Sequence, residues 1–474
     1  MSDPSQESES VKQEPQEGLA EAVEPKPESY TEANPGLVPS LGPVPASRET
    51  STASDVSSTP STPKRPRKPP LPTREEGKTL HDVLDVGALF DDTDGQSYSV
   101  EALSQRIRTN STLRRDLALL HHVFESSRRL IVVTGAGISV YAGIPDFRSQ
   151  EGLFASLKDS LNLKSSGKSM FDASVYQDDK STENFHATVR DLHKLVSDAQ
   201  PTPFHQYLDQ ISSTGRLVRL YTQNIDCLDT NLPNLGTSVP LPSKAPYPRT
   251  IQLHGALNVM ACSKCQWMGE LKPDIFASGE VPDCPECVEL DTVRQVAGKR
   301  SQGIGKLRPR IVLYNEANPD AEAIGSISEA DITSRPGPDG LVVVGTSFKI
   351  PGVRRLVREL ANAVHAARGA AIWINTDSPS PSQLSSREIE TTFDLIVRAD
   401  CQLIPGLMAD YRLAFDMWKN STRKKRRTVT APRPRPPVFQ ITKKTVPLDK
   451  GVEQKTEKKV FFDEFDGPKF EICD

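Results

Sequence analysis

Short apolar runs alternate with helical patterns through the middle of the chain, predicting an α/β fold built on a doubly wound, Rossmann-like parallel sheet. Three observations carry that expectation. The runs at 130–133, 217–220, 310–313, 341–344, 371–374 and 395–397 are nearly continuous in aliphatic residues, as strands buried on both faces of a sheet must be. A glycine-rich turn follows the first run directly. Two CxxC pairs fall inside the region and predict a smaller zinc-ribbon insertion.

The order along the chain fills in this outline. Residues 1–75 are rich in Ser, Pro and Glu and short of large apolar side chains, so they bury too little surface to offset chain entropy. A disordered tail is expected there, ending in the basic cluster Lys64-Arg65-Pro66-Arg67-Lys68. The folded region is expected over 105–420. Leu113, Leu117, Leu120 and Phe124 recur at helical spacing, as do Val353, Leu356 and Leu360. Positions 151–200 hold no comparable strand and are expected as a helical insertion, with the zinc module over 256–300. Residues 421–474 are expected as a second disordered tail, beginning with Arg423-Lys424-Lys425-Arg426-Arg427 and ending near the aromatic patch Phe461-Phe462-Asp463-Glu464-Phe465.

Charge and cysteine usage narrow the setting. The 58 basic and 62 acidic side chains nearly cancel, so the average field points to neither a polyanion nor a membrane. No apolar run approaches the roughly 18 residues of a spanning helix, and Met1-Ser2-Asp3-Pro4 begins no signal peptide. Outside the CxxC pairs only Cys227, Cys401 and Cys473 remain, which is no disulfide framework and favours a reducing compartment. Two basic clusters flanking the folded region on flexible arms point to a nuclear address, with direct nucleic-acid contact confined to those arms.

Chemistry concentrates at two places. Cys262, Cys265, Cys284 and Cys287 form two pairs with 18 intervening residues, a zinc-ribbon spacing that predicts one structural Zn²⁺ with no open position. They begin eight residues after His254-Gly255, tying the metal module to a candidate catalytic histidine. The turn Thr134-Gly135-Ala136-Gly137-Ile138-Ser139 suits a phosphate cradle at a helix N-terminus. The third glycine of a dehydrogenase fingerprint would stand at position 140, which is Val140, so a hydride-transfer signature is excluded.

Together with Gly143-Ile144-Pro145-Asp146-Phe147-Arg148-Ser149, this turn resembles the paired signature of the sirtuins, the NAD-dependent protein-lysine deacetylases. Thr222-Gln223-Asn224-Ile225-Asp226, Leu253-His254-Gly255 and Gly345-Thr346-Ser347 match further motifs in order, and the double CxxC falls where the family keeps its zinc. The resemblance spans roughly 105–420. The segment Ser347-Phe348-Lys349-Ile350-Pro351-Gly352-Val353 and the basic tails look most like the fungal nuclear branch acting on histones.

That resemblance implies a mechanism and a set of roles. Acetyl would pass from a protein lysine to the ADP-ribose of consumed NAD with release of nicotinamide, and zinc would take no part. His254 would be the general base and Asn224 its catalytic neighbour. NAD would be held by Gly135, Ala136, Gly137, Ile138, Ser139 and Gly143, by Asp146, Phe147 and Arg148 on a closing loop, and by Gln223, Asn224, Ile225 and Asp226. Gly345, Thr346 and Ser347 would meet its phosphate or adenine ribose, Asn375 its adenosine ribose and Cys401 its adenine. Val312, Leu313 and Tyr314 would pair with the substrate; Tyr314-Asn315 departs from the family's usual Phe-Gly, although Asn tolerates a positive φ.

The implied partners are acetylated histone lysine and chromatin-associated proteins, in silencing or genome maintenance. A protein ADP-ribosyltransferase and a weakly catalytic NAD-sensing chromatin binder are the alternatives. A zinc-ribbon nucleic-acid binder fits poorly, because residues 262–287 carry only Lys264 and Lys272 as cations.

Overall fold

A computed structural model describes residues 83–90, 98–149, 152–160, 167–277, 280–378, 380, 382–422, 441–442 and 461–462. The expected tail over 1–75 and both basic clusters lie outside these residues. Of the C-terminal segment, Ile441–Thr442 pairs antiparallel with Phe461–Phe462.

Seven strands form a parallel sheet: β1 (Leu84–Asp85), β2 (Leu130–Thr134), β3 (Leu217–Thr222), β4 (Thr250–Gln252), β8 (Gly340–Val344), β9 (Ala370–Asn375) and β10 (Leu395–Arg398). Between β4 and β8 the chain makes β5 (Gly255–Cys262), β6 (Met268–Glu270) and β7 (Leu307–Ile311). The parallel order is β1-β10-β9-β8-β2-β3-β4, so β2 lies between the strand that follows it and one that returns much later. Such a reversal opens a crevice at the carboxyl ends of β2 and β8, the site where doubly wound sheets bind ligands.

Both faces of this sheet are covered, and strand alternation shows how. Leu130 and Val132 of β2 join Val342, Val344, Ile372 and Ile374 on one face, under the helices Val100–Thr109, Ser111–Ser126, Pro203–Ser213 and Ile404–Thr422. Ile131 and Val133 join Leu341, Val343, Ala371 and Trp373 on the other, under Ala321–Thr333 and Pro351–Ala366. All five residues of β2 are buried, which is why the run contains no polar interruption before Thr134.

One expected strand belongs elsewhere. The run 310–313 overlaps β7, which pairs antiparallel with β5 in a separate three-stranded sheet, order β6-β5-β7. Its burial alternates, with Leu307, Pro309 and Ile311 buried and Arg308 and Arg310 half-buried. That is the pattern of a strand with one covered face. The edge strands β1 and β4 escaped the sequence reading because two and three residues are too few to show a period.

The helices Leu153–Ser160 and Asp179–Asp198 and the small sheet share one core. Phe171, Phe185, Val189 and Leu192 pack with Leu257, Met260, Leu307 and the cysteines. The helical insertion and the zinc module are therefore one body, built from segments about 60 residues apart in the chain. No helix among the described residues is long and apolar enough to cross a membrane.

A histidine at the centre of this small core is unsatisfied. His186 is fully buried, with Phe276, Phe185 and Tyr176 rings 4.8, 6.0 and 6.1 Å away and no hydrogen-bond partner for either ring nitrogen. Burial, reinforced by the Arg190 charge, holds its pKa down at about 4 against an ordinary 6.5. The unfolded chain therefore takes up the proton first, and stability is fully present above pH 6.5 and drains as pH falls towards 4. Replacing His186 with Phe removes two unpaired polar atoms, so urea unfolding at neutral pH will show stability unchanged or raised by about 1 kcal/mol. The same titration near pH 5 will show a smaller acid loss than the parent protein.

Candidate active site and zinc centre

The glycine turn is held by a second turn. After β2 the chain makes two short 3₁₀ turns, Ala136–Ile138 and Val140–Ala142, where the sequence suggested a helix N-terminus. Gly135 donates its N–H to the Val344 carbonyl and Gly137 donates to the Gly345 carbonyl, both at 3.0 Å. A Cβ on Gly135 would stand 2.6 Å from the Gly345 oxygen, and one on Gly137 would stand 2.7 Å from the Gly345 Cα. Gly345 itself sits at φ +65°, and its N–H reaches the Ile374 carbonyl at 3.1 Å. The glycines thus allow the turns after β2 and β8 to touch backbone to backbone. Thr346 is buried and Ser347 half-buried just beyond; Gly143 closes the second 3₁₀ turn at φ +85°.

The segment after β3 crosses the same edge. Gln223 donates its backbone N–H and its Nε2 to the Thr134 carbonyl at 3.0 and 3.2 Å. Asn224 donates Nδ2–H to the Ser139 hydroxyl at 3.1 Å, and that hydroxyl donates to Asp226 at 2.7 Å. Asp226 also accepts the Leu228 N–H at 3.0 Å, the turn-capping use open to any such aspartate. Ile225 is buried, and its carbonyl takes the Leu257 N–H at 2.9 Å, stitching this loop to β5. Asn224 Oδ1 is buried without a donor. An unpaired buried acceptor costs about 1–3 kcal/mol, so this atom fits a ligand that brings an N–H or O–H.

His254 stands where the chain leaves the large sheet for the small one, between β4 and β5. Its Nδ1 lies 3.0 Å from the Gln223 carbonyl, which can only accept, so Nδ1 carries the proton and Nε2 keeps a lone pair. Burial lowers its pKa, helped by the Arg148 charge and opposed by the Gln223 bond. The ring is therefore neutral at and somewhat below neutral pH, as a proton acceptor must be.

Two carboxyls lie beside one another next to this network. Asp229, which the sequence reading passed over, is fully buried, and burial together with the Asp226 charge raises its pKa. Burial raises Asp226 as well.

The Asp146 loop is shaped by its own carboxylate, which accepts the N–H groups of Arg148 and Ser149 at 2.6 and 2.7 Å. Phe147 sits edge-on to Phe154 and Phe171, with centroids 5.7 and 5.6 Å apart, so it belongs to the small body's aromatic cluster. Arg148 donates to the Tyr314 hydroxyl.

The expected substrate edge is partly occupied by the chain itself. Val312 gives its N–H to the His254 carbonyl at 3.0 Å, Leu313 is buried, and Tyr314 donates to Phe171 O at 2.7 Å while accepting from Ala173 at 2.9 Å. Asn315 adopts φ +59°, the conformation a glycine would otherwise supply. Asn375 ends β9, half-buried, with its carbonyl taken by Ala399, and Cys401 is buried just after β10.

The four cysteines converge. The Sγ pairs Cys262–Cys287 and Cys265–Cys284 are 3.8 and 3.6 Å apart, and all four ligand atoms lie within 4.8 Å of one another. A tetrahedron with Zn–S near 2.3 Å has edges of about 3.8 Å, so the cluster fits Zn²⁺ and is far too open for disulfides. Lys264 and Cys265 point backbone N–H groups at Cys262 Sγ, at 3.2 and 3.4 Å, which favours its thiolate, and Cys284 stands at the N-cap position of the helix Pro285–Val296. Gly305 is required beside them, since its Cβ would lie 2.4 Å from Cys262 Sγ. Four protein ligands fill the coordination sphere, which makes the metal structural.

A doubly wound dinucleotide-type sheet, joined through a lone histidine to a zinc-ribbon body, defines the class of protein. The Sir2 family model matches residues 135–351. NAD-dependent protein deacetylase hst4 of Schizosaccharomyces pombe is 50% identical over 288 residues, covering 61% of this chain and 68% of that protein. NAD-dependent histone deacetylase HST4 of Saccharomyces cerevisiae is 44% identical over 303 residues, 62% of this chain and 79% of that protein. The hst4 protein of Emericella nidulans is 51% identical over 292 residues, and the match spans 61% of this chain but only 48% of that relative. The chain belongs to the Sir2 family.

Removing the metal should act on the fold before the chemistry. With a strong chelator, or in Cys284→Ser, hydrogen exchange will show β5–β7 and the helix Pro285–Val296 losing protection while β2, β3 and β8 keep theirs. Full retention of protection and of bound zinc in Cys284→Ser would contradict a structural four-thiolate centre.

Proposed function

We propose that this chain is an NAD-dependent protein-lysine deacetylase acting on histones in the nucleus, with chromatin-associated partners. The observation that carries the reading is His254, held in one tautomer by the Gln223 carbonyl at the junction of the two bodies, beside Asn224 and the paired glycine turns. The relatives' names, two NAD-dependent protein deacetylases and one NAD-dependent histone deacetylase, support it. Histone preference and nuclear address rest on those names and on the basic clusters in the sequence.

When bound, NAD supplies an electrophilic ribose carbon, nicotinamide as the leaving group and hydroxyls that receive the acetyl. The residues divide the remaining work. The turn from Gly135 to Ser139, with Gly143, receives the phosphates, and Gly345, Thr346, Ser347, Asn375 and Cys401 receive the adenosine half. Asn224, with its unpaired Oδ1, and Asp226, tied to it through Ser139, orient the nicotinamide ribose; Gln223 and Ile225 hold that loop in place. Phe147 excludes water from the reacting carbon, and Arg148 neutralises phosphate charge. His254 Nε2 accepts a proton from a ribose hydroxyl. Val312, Leu313 and Tyr314 form the edge along which the acetyl-lysine peptide lies.

Mass spectrometry of an acetyl-lysine histone peptide incubated with the protein, with and without NAD, tests the reading. NAD-dependent loss of acetyl with equal O-acetyl-ADP-ribose is expected, falling about 10²–10⁴-fold in His254→Ala. ADP-ribose appearing on protein with the acetyl peptide untouched would favour the transferase alternative.

The pH profile adds a sign. The lowered His254 pKa means the acid limb of kcat/KM will lie below pH 6.5, because the base stays neutral as pH falls through its ordinary value. An acid limb at or above 6.5, measured with the same peptide, would remove His254 from that role.

A further inference from the structure

We propose that Gln402 is a positioning residue for the phosphate-binding turn, setting affinity for the ADP-ribose portion of NAD; the inference rests on the function proposed above. Gln402 is fully buried in the 3₁₀ turn Cys401–Leu403, immediately after β10. Its backbone N–H is fixed by Asp400 Oδ1 at 3.0 Å. Its side-chain amide then bridges two distant elements. Oε1 accepts the Phe204 N–H at 3.0 Å, one of the first-turn donors of the helix Pro203–Ser213 that have no acceptor within the helix. Nε2 donates to the Ile138 carbonyl at 3.1 Å, inside the glycine turn.

The Ile138 carbonyl receives a second buried donor, the Thr202 hydroxyl at 3.2 Å. Two side chains from outside the sheet thus converge on one peptide group of a turn whose glycines provide no side chains of their own to fix it. The orientation of Gln402 is determined, since flipping its amide would set N–H against N–H at Phe204 and oxygen against oxygen at Ile138. The next residue, Ser139, carries the hydroxyl that joins Asn224 to Asp226. Turning the peptide between Ile138 and Ser139 would therefore disturb both the phosphate cradle and the ribose-facing network. A residue serving only the core would have no reason to end on this carbonyl with a polar group.

Two variants separate positioning from packing. Gln402→Met keeps length and burial and removes both bonds; Gln402→Glu keeps an acceptor for Phe204 and sets oxygen against the Ile138 carbonyl. The readouts are calorimetric affinity for ADP-ribose, KM for NAD, KM for the acetyl peptide, and thermal unfolding to establish that each variant is folded. ADP-ribose Kd and NAD KM are expected to rise about tenfold in folded Gln402→Met, and at least as much in Gln402→Glu, with peptide KM within about twofold of the parent. Parent-like ADP-ribose binding in either folded variant overturns the proposal, as does loss of folding in both, which would assign Gln402 to the core alone. Failure of the parent protein itself to bind ADP-ribose would instead sink the proposed function.

Discussion

At the carboxyl edge of the sheet, the turns after β2 and β8 meet with no side chains between them. Gly135 and Gly137 each give an N–H to the strand end and turn opposite, at spacings that leave no room for a Cβ. This contact sits at the reversal of strand order, so it closes the floor of the crevice that the topology opens. Much of the site is placed from it. Ser139 follows the first turn and organises Asn224 and Asp226; Thr346 follows the second; and the carbonyl of Thr134, just before the first, receives both amide groups of Gln223. Methyl groups at these glycines would force the turns apart and move three loops together.

The second constraint is the crossing between bodies. The chain passes from β4 of the large sheet into β5 of the small one through Leu253 and His254. The Leu253 N–H is bound to Thr222, and the His254 carbonyl holds Val312 on the returning strand. A histidine at that point belongs to neither core, and its ring is oriented by a carbonyl of the large body's loop. The four-thiolate cluster at the far end of β5 pins the small sheet without taking part at the histidine. Structural metal and candidate base are eight residues apart in the chain and separate in purpose.

What could be read in advance followed the physical origin of each feature. The strands buried on both faces announced themselves because β2, β8 and β9 have no polar face to show. The cysteines were legible because two residues between thiols is a geometric requirement of closing on one ion. The run at 310–313 misled because Ile311 to Leu313 is apolar, while the alternation that reveals its one-sided burial begins earlier, at Leu307. Gln402, Asp229 and the partnership of Arg148 with Tyr314 were invisible, since each depends on residues far away in the chain or on a carboxyl whose neighbour only the loop's path supplies.

The sequence by itself determined the class of the fold, the metal ligands and the chemical types available at the site, because periodicity, CxxC spacing and glycine turns are local properties of the chain. The tertiary structure decided which atoms meet. It fused the helical and zinc insertions into one core, fixed the tautomer of His254 through the Gln223 carbonyl, and left Asn224 Oδ1 as the unpaired acceptor. Hydrogen bonds and buried charges are set by distances of a few ångströms between residues as far apart in the chain as Ile138 and Gln402, 264 positions, and those distances exist only once the chain has folded.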